Sequence, residues 1–172
     1  MKNTLLTLVV FSFFLSGCAT NYYVNEDRYT QPKNYEKISV YVTNPEHEAY
    51  EVLKKSEIYD LTPDNNKPDK LTLIDFSPWA RGCGLGGLIT IYTLGLVPSG
   101  GDDYGNFVYS LESGQTTQLY RHKIIYRDSL SAWSVPMRPF AYSEKGAQAK
   151  ALSLSTRDLC TDFEKCQSES LH

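Results

Sequence analysis

An uncharged apolar run, Leu5 to Leu15 (LLTLVVFSFFL), follows Lys2 at the start of the chain and decides how much of it is left to fold. A membrane-spanning helix needs about 20 such residues. The run is too short for that and has the length of the central region of a secretory signal. On that reading residues 1–17 are removed, and 155 of the 172 residues remain, the size of one ordinary domain. An uncleaved N-terminal membrane anchor is the alternative, but the short run and its flanks fit processing better.

The run ends in Leu15-Ser16-Gly17-Cys18, which resembles the lipobox of bacterial lipoproteins. Small residues at 16 and 17 would let a peptidase reach the bond before Cys18, whose thiol would accept a diacylglycerol. The resemblance further implies N-acylation of the new terminus. Each buried methylene contributes about 0.8 kcal/mol, and two chains already make a stable anchor. Membrane lipid, reached through acylated Cys18, is therefore the first expected partner. The next residue is Ala19, not the Asp associated with inner-membrane retention. The resemblance thus implies the outer membrane, with the domain facing the periplasm.

The signal carries only Lys2, so the mature balance is 16 basic against 20 acidic side chains. No basic patch of the kind nucleic-acid binding requires is present, and that class is set aside. Three cysteines remain besides Cys18, namely Cys83, Cys160 and Cys166. An oxidising periplasm permits a disulfide, and the short loop between Cys160 and Cys166 makes them the expected pair. Six residues of helix rise about 9 Å, whereas a disulfide wants Cα atoms within roughly 7 Å. The bridge therefore requires the helix read over this segment to end near Cys160.

Residues 18–36 read as a lipidated start and polar tether, and residues 37–172 as a single α+β domain. Lys37 to Thr43 (KISVYVT) is β-branched and predicts a strand. Asn44-Pro45 then supplies an N-cap and a first-turn proline. From Glu46 to Tyr59 the spacing predicts a helix burying Ala49, Val52, Leu53 and Ser56. A second strand is expected over Lys70 to Phe76, with Leu71, Leu73 and Asp75 sharing a face. Asn106 to Leu111 and Gln118 to Arg127 flank Glu112-Ser113-Gly114-Gln115 and predict a hairpin. A final helix is expected from Ser143 to Glu164 along Ala147, Ala151, Leu154 and Leu159. The architecture that buries both helical lines is an antiparallel or mixed β-sheet with two helices packed on one face.

Gly82 to Pro98 (GCGLGGLITIYTLGLVP) carries no charge. It contains the spacing G-x-G-x-x-G, but a dinucleotide fingerprint needs a strand entering the glycines and a helix leaving them. Ser77 to Arg81 intervene, and the β-branched LITIYTLGLVP that follows reads as strand, so no cofactor is expected. The segment itself is expected to be a buried core strand or strand pair, with membrane contact or oligomer contact as alternatives. Asp102-Asp103 among Pro98, Gly100, Gly101 and Gly105 reads as a turn tip. No HxxxH, HExxH or CxxC spacing occurs, so no metal is expected. Cys83 with His122 is a conceivable nucleophilic pair, set against a small buried thiol and an exposed histidine.

Two stretches carry a further resemblance. One runs from Asn44-Pro45-Glu46 through Leu53-Lys54-Lys55-Ser56 to Leu61-Thr62. The other is Cys83 followed by Thr93-Leu94-Gly95-Leu96-Val97-Pro98-Ser99. Together they resemble a loose group of small, functionally uncharacterised lipoproteins of Gram-negative bacteria. That group places a strand–helix–strand half before a T-L-G-L-[IV]-P element and a hairpin bearing a tryptophan, here Trp133. The resemblance implies one α+β domain in the cell envelope and supplies no active site. The expectation is a non-enzymatic envelope lipoprotein that binds or scaffolds an envelope protein partner. A cysteine-dependent periplasmic enzyme using Cys83 and His122 is the alternative.

Overall fold

The computed structural model describes residues 19–29, 37–79 and 85–160. The signal segment 1–17, Cys18, residues 30–36 of the expected tether, Cys83 and Cys166 lie outside the described residues. The strands are β1 (Ala19–Tyr23), β2 (Ser39–Val42), β3 (Asp60–Thr62), β4 (Asp69–Trp79), β5 (Asp102–Ser113), β6 (Thr116–Ser131) and β7 (Arg157–Cys160). The helices are α1 (Tyr50–Ser56), α2 (Leu85–Tyr92), α3 (Ser134–Met137) and α4 (Glu144–Leu154). One mixed sheet holds the strands in the order β1-β6-β5-β4-β2-β3, with β7 also on β6. β2 runs parallel to β3 and β4, and the other pairings are antiparallel. The protein is thus α+β with a mixed sheet.

The first half follows the sequence reading closely. Ala49, Val52, Leu53 and Ser56 are all buried, because residues three and four apart share a helical face. The helix itself is shorter than expected, and Asn44 is not its N-cap. The Asn44 side chain instead donates to the Leu73 carbonyl (2.8 Å) and accepts from the Leu73 amide (2.9 Å). β2 has ended there, and the amide of Asn44 stands in for the missing strand. The register of β4 against β5 shifts between Leu73 and Asp75. Such a bulge flips the alternation, so Leu71, Leu73 and then Phe76 are buried while Asp75 leaves the core face.

The expected hairpin is present and longer at both ends. β5 and β6 pair from Asp102 opposite Arg127 to Ser113 opposite Thr116. Gly114 turns the corner at φ 63, a conformation a Cβ disfavours. Asp102 and Asp103 are not a turn tip. Both belong to β5, and Asp103 is buried.

Two elements depart from the sequence reading. Ala19 to Tyr23 is not tether but strand, pairing from Ala19 opposite Ser131 to Tyr23 opposite Arg127. β1 and β7 lie end to end on the same edge of β6, leaving residues 123–126 between them. The Tyr29 hydroxyl sits in that gap, donating to the Ile125 carbonyl (2.7 Å) and accepting from its amide (2.8 Å). The last helix stops at Leu154, well short of Glu164. Ser155 ends it, its amide and hydroxyl both returning to the last turn. The chain then enters β7, which leaves Leu159 exposed. α4 packs against α1 and β6, and both helices bury residues in the cluster around Phe107, Tyr109 and Ile124.

Candidate functional site

Of the expected core strand over Gly82 to Pro98, the described residues from Leu85 onward form no strand. Leu85–Tyr92 is helical, and its large apolar residues from Leu88 onward face outward. The small residues Gly87 and Thr90, three apart and so on one face, are buried. Leu88, Ile89, Ile91 and Tyr92 are exposed, Tyr92 to 86%. Local bonds override the strand preference of the β-branched residues: the Thr93 hydroxyl donates to the Ile89 carbonyl (2.8 Å) and that of Thr90 to the Val97 carbonyl (2.9 Å).

The helix ends in a Schellman turn. The Gly95 amide bonds the Thr90 carbonyl (2.6 Å) and the Leu94 amide bonds that of Ile91 (3.0 Å). Leu94 therefore occupies the left-handed position that glycine usually takes, at φ 51. A Cβ there costs roughly 1–2 kcal/mol, yet the residue is a leucine with 73% of its surface exposed.

This segment is fixed to the end of the sheet where β1 begins. The Ala132 amide donates to the Gly95 carbonyl (2.9 Å), and Trp133 Nε1 donates to the Leu96 carbonyl (3.3 Å). Ser99 pairs with Leu130, and a side chain on Gly100 would collide with the Asp128 carbonyl. α3 is pinned to β1 by Asn21, whose buried amide donates to the Ser134 carbonyl (2.7 Å). Beyond it the chain passes Met137 and Phe140 and returns to the edge of β1, where Tyr142 pairs with Tyr22. Trp133, Met137 and Phe140 are exposed, Phe140 to 81%. Ala19, paired with Ser131, thus enters the sheet between these two apolar segments, one residue after Cys18.

The opposite arrangement lies mid-sheet. His122, fully buried, places Nε2 3.3 Å from the Tyr109 hydroxyl and Nδ1 2.8 Å from the Ser155 hydroxyl. The Tyr109 and Tyr59 hydroxyls are 2.8 Å apart, and Arg157 Nη1 donates to Tyr59 (2.8 Å). The Ser155 hydroxyl donates to the Leu152 carbonyl (2.8 Å), so it must accept from His122. One direction then satisfies the whole chain: Arg157 to Tyr59, Tyr59 to Tyr109, Tyr109 to Nε2, and Nδ1–H to Ser155. This requires a neutral imidazole. Burial, helped by the Arg157 charge, pushes its pKa down to about 3, and burial raises that of Tyr109.

The histidine expected at the surface is therefore buried. Alternation along β6 points the ring inward. Both ring nitrogens already face Tyr109 and Ser155, and Cys83 lies outside the described residues. Ser155 is no nucleophile in reserve, being 1% exposed with its proton directed at a backbone carbonyl. Cys160 is disulfide-bonded. Its partner lies outside the described residues, and the end of α4 at Leu154 removes the helical obstacle to bridging a nearby cysteine.

The glycine spacing is followed by a helix after all, contrary to expectation. That helix joins β4 to an antiparallel neighbour, β5, whereas the dinucleotide motif belongs to a parallel βαβ unit. Among the described residues no group of three or more His, Cys, Asp or Glu is placed to hold a metal. Nor is any helix among them long and apolar enough to cross a membrane. In comparisons with known proteins, no family model, curated protein or solved structure matches this chain.

Proposed function

We propose that this protein is a lipid-anchored component of the cell envelope, acylated at Cys18. It is held on the inner leaflet of the outer membrane and faces the periplasm. Its role is non-enzymatic: it binds or scaffolds another envelope component. The observation that carries the reading is the placement of the chain's entry. Ala19, the residue after the lipobox-like Leu15-Ser16-Gly17-Cys18, is already hydrogen-bonded into the sheet. An anchor at Cys18 would hold the body against the lipid with no intervening spacer, so what the body touches is set by its surface at that end. The buried state of His122 supports the non-enzymatic part, since the imidazole is committed within the core.

Intact-mass measurement of the protein extracted from membranes of a Gram-negative host tests the anchor. The expected mass lacks residues 1–17 and carries a diacylglyceryl group plus one further acyl chain on residue 18. A chain that keeps Met1, or one with a free thiol at residue 18, contradicts it. In situ crosslinking from surface lysines such as Lys54 and Lys123 tests the scaffolding role, which requires a reproducible envelope partner.

A further inference from the structure

We propose that the end of the molecule formed by α2, its C-terminal turn and the Trp133–Phe140 segment is a lipid-docking surface. It sinks into the bilayer beside the acylated cysteine and sets the orientation of the whole protein. This rests on the proposed anchor for its location, although the surface is argued from its own features.

The first feature is that every backbone amide of the exposed turn from Thr93 to Val97 is paired within it. The amides of Thr93, Leu94, Gly95 and Leu96 donate to carbonyls of Ile89, Ile91, Thr90 and Thr93. The Val97 amide donates to the Thr93 hydroxyl (3.2 Å). Helices in water commonly end in such a turn, and the same pairing lets this one enter lipid without open amides. Lipid offers no partners, so backbone buried there must be paired internally. Trp133 Nε1 is likewise paired to Leu96.

The second feature is chemistry. Between Arg81 and Asp102 the chain has no charge, and between Ala132 and Ser143 the only charge is Arg138. An apolar surface with Trp133 and Tyr92 at hand and a single cation suits the membrane interface, where aromatic rings sit at headgroup level and a guanidinium meets lipid phosphate. α2 spans eight residues, roughly 12 Å at 1.5 Å each, too short to cross but long enough to lie in the interface. The third feature is Leu94, an exposed leucine kept in a left-handed position where glycine or asparagine is easier. With 73% of its surface exposed, the leucine side chain adds apolar contact outward.

The geometry stands β5 and β6 on end. The Gly114 turn, some sixteen residues along β6 from Ser131, would project about 50 Å from the bilayer.

The test uses protein purified from membranes and reconstituted in phosphatidylethanolamine–phosphatidylglycerol vesicles, with or without lipids brominated on the acyl chains. The difference between wild type and Trp133→Phe isolates the emission of Trp133. Bromine should at least halve it. In Leu94→Asp, which the left-handed backbone tolerates, that quenching should fall at least twofold with thermal stability unchanged. Trp133 emission that is the same with and without bromine would overturn the proposal, as would crosslinked dimers with Trp133 unquenched. The mass at residue 18, read on the same sample, separates the two readings. Quenching with a free thiol removes the anchor and keeps the docking surface; an acylated residue 18 without quenching does the reverse.

Discussion

The middle of β6 and its C-terminal end invert the usual distribution of side chains in opposite ways. Around His122 the sheet buries an imidazole, two tyrosine hydroxyls and a serine. Around Ala132 it leaves a helix of leucine, isoleucine and tyrosine uncovered. The polar interior is tolerable because each donor finds an acceptor, and a buried polar group costs little once paired. The apolar exterior has no internal compensation. Its cost in water is removed only if another phase covers it. The first region therefore answers to stability and the second, by the proposed docking, to location, and substitutions should separate them.

The largest effect is expected in the interior. Tyr109→Ala should cost about 3–5 kcal/mol in denaturant unfolding, from the lost ring and the orphaned His122 and Tyr59. Acid should act on a similar scale. His122 titrates near 6.5 when unfolded but is held down to about 3 in the fold. Between those values the unfolded chain binds a proton that the folded chain refuses. Stability is therefore full above about pH 6.5 and falls as pH drops toward 3, by about 1.4 kcal/mol per pH unit at full slope. Denaturant titrations at several pH values should show that slope, and His122→Gln should flatten it.

How much of this was legible in the sequence follows from the range of the interactions. The strand–helix–strand half and the hairpin rest on local periodicity and a glycine turn, and both are visible in a short window. β1 is not, because its reasons are distant. Asn21 answers Ser134 and Tyr29 answers Ile125, 113 and 96 residues away in sequence. The same holds for His122, whose partner Ser155 is 33 residues on. Gly82 to Pro98 failed differently. Its β-branched, uncharged composition says buried strand, because core is the commonest refuge of an apolar segment without charges. One signal was present: Gly87 and Thr90, small and three apart, mark an inward helical face. The exposed site was thus named as a segment but placed on the wrong side of the surface.

Smaller effects sharpen the contrast. Tyr29→Phe should cost about 1–2 kcal/mol by denaturant unfolding, since it unpairs the Ile125 amide and carbonyl between β1 and β7. At the apolar end the sign should reverse. Leu94→Gly relieves the left-handed leucine and should raise stability by about 1 kcal/mol, measured by thermal melting. Ile91→Ser, on an exposed helical position, should stay within about 0.5 kcal/mol of wild type. A large destabilisation from either would show that this end supports the fold rather than an external contact.

The most direct measurement is hydroxyl-radical footprinting of the acylated protein in bilayers, compared with the same protein released into mild detergent-free buffer after enzymatic removal of its lipid. Leu159 serves as the internal reference, being 60% exposed and, through its pairing with Tyr120, about 36 Å along β6 from Ser131. Protection of Tyr92, Leu94, Trp133 and Phe140 in bilayers, with Leu159 oxidised equally in both samples, is the predicted result. Equal oxidation at all five positions, or protection at Leu159 with Leu94 and Trp133 open, would contradict it.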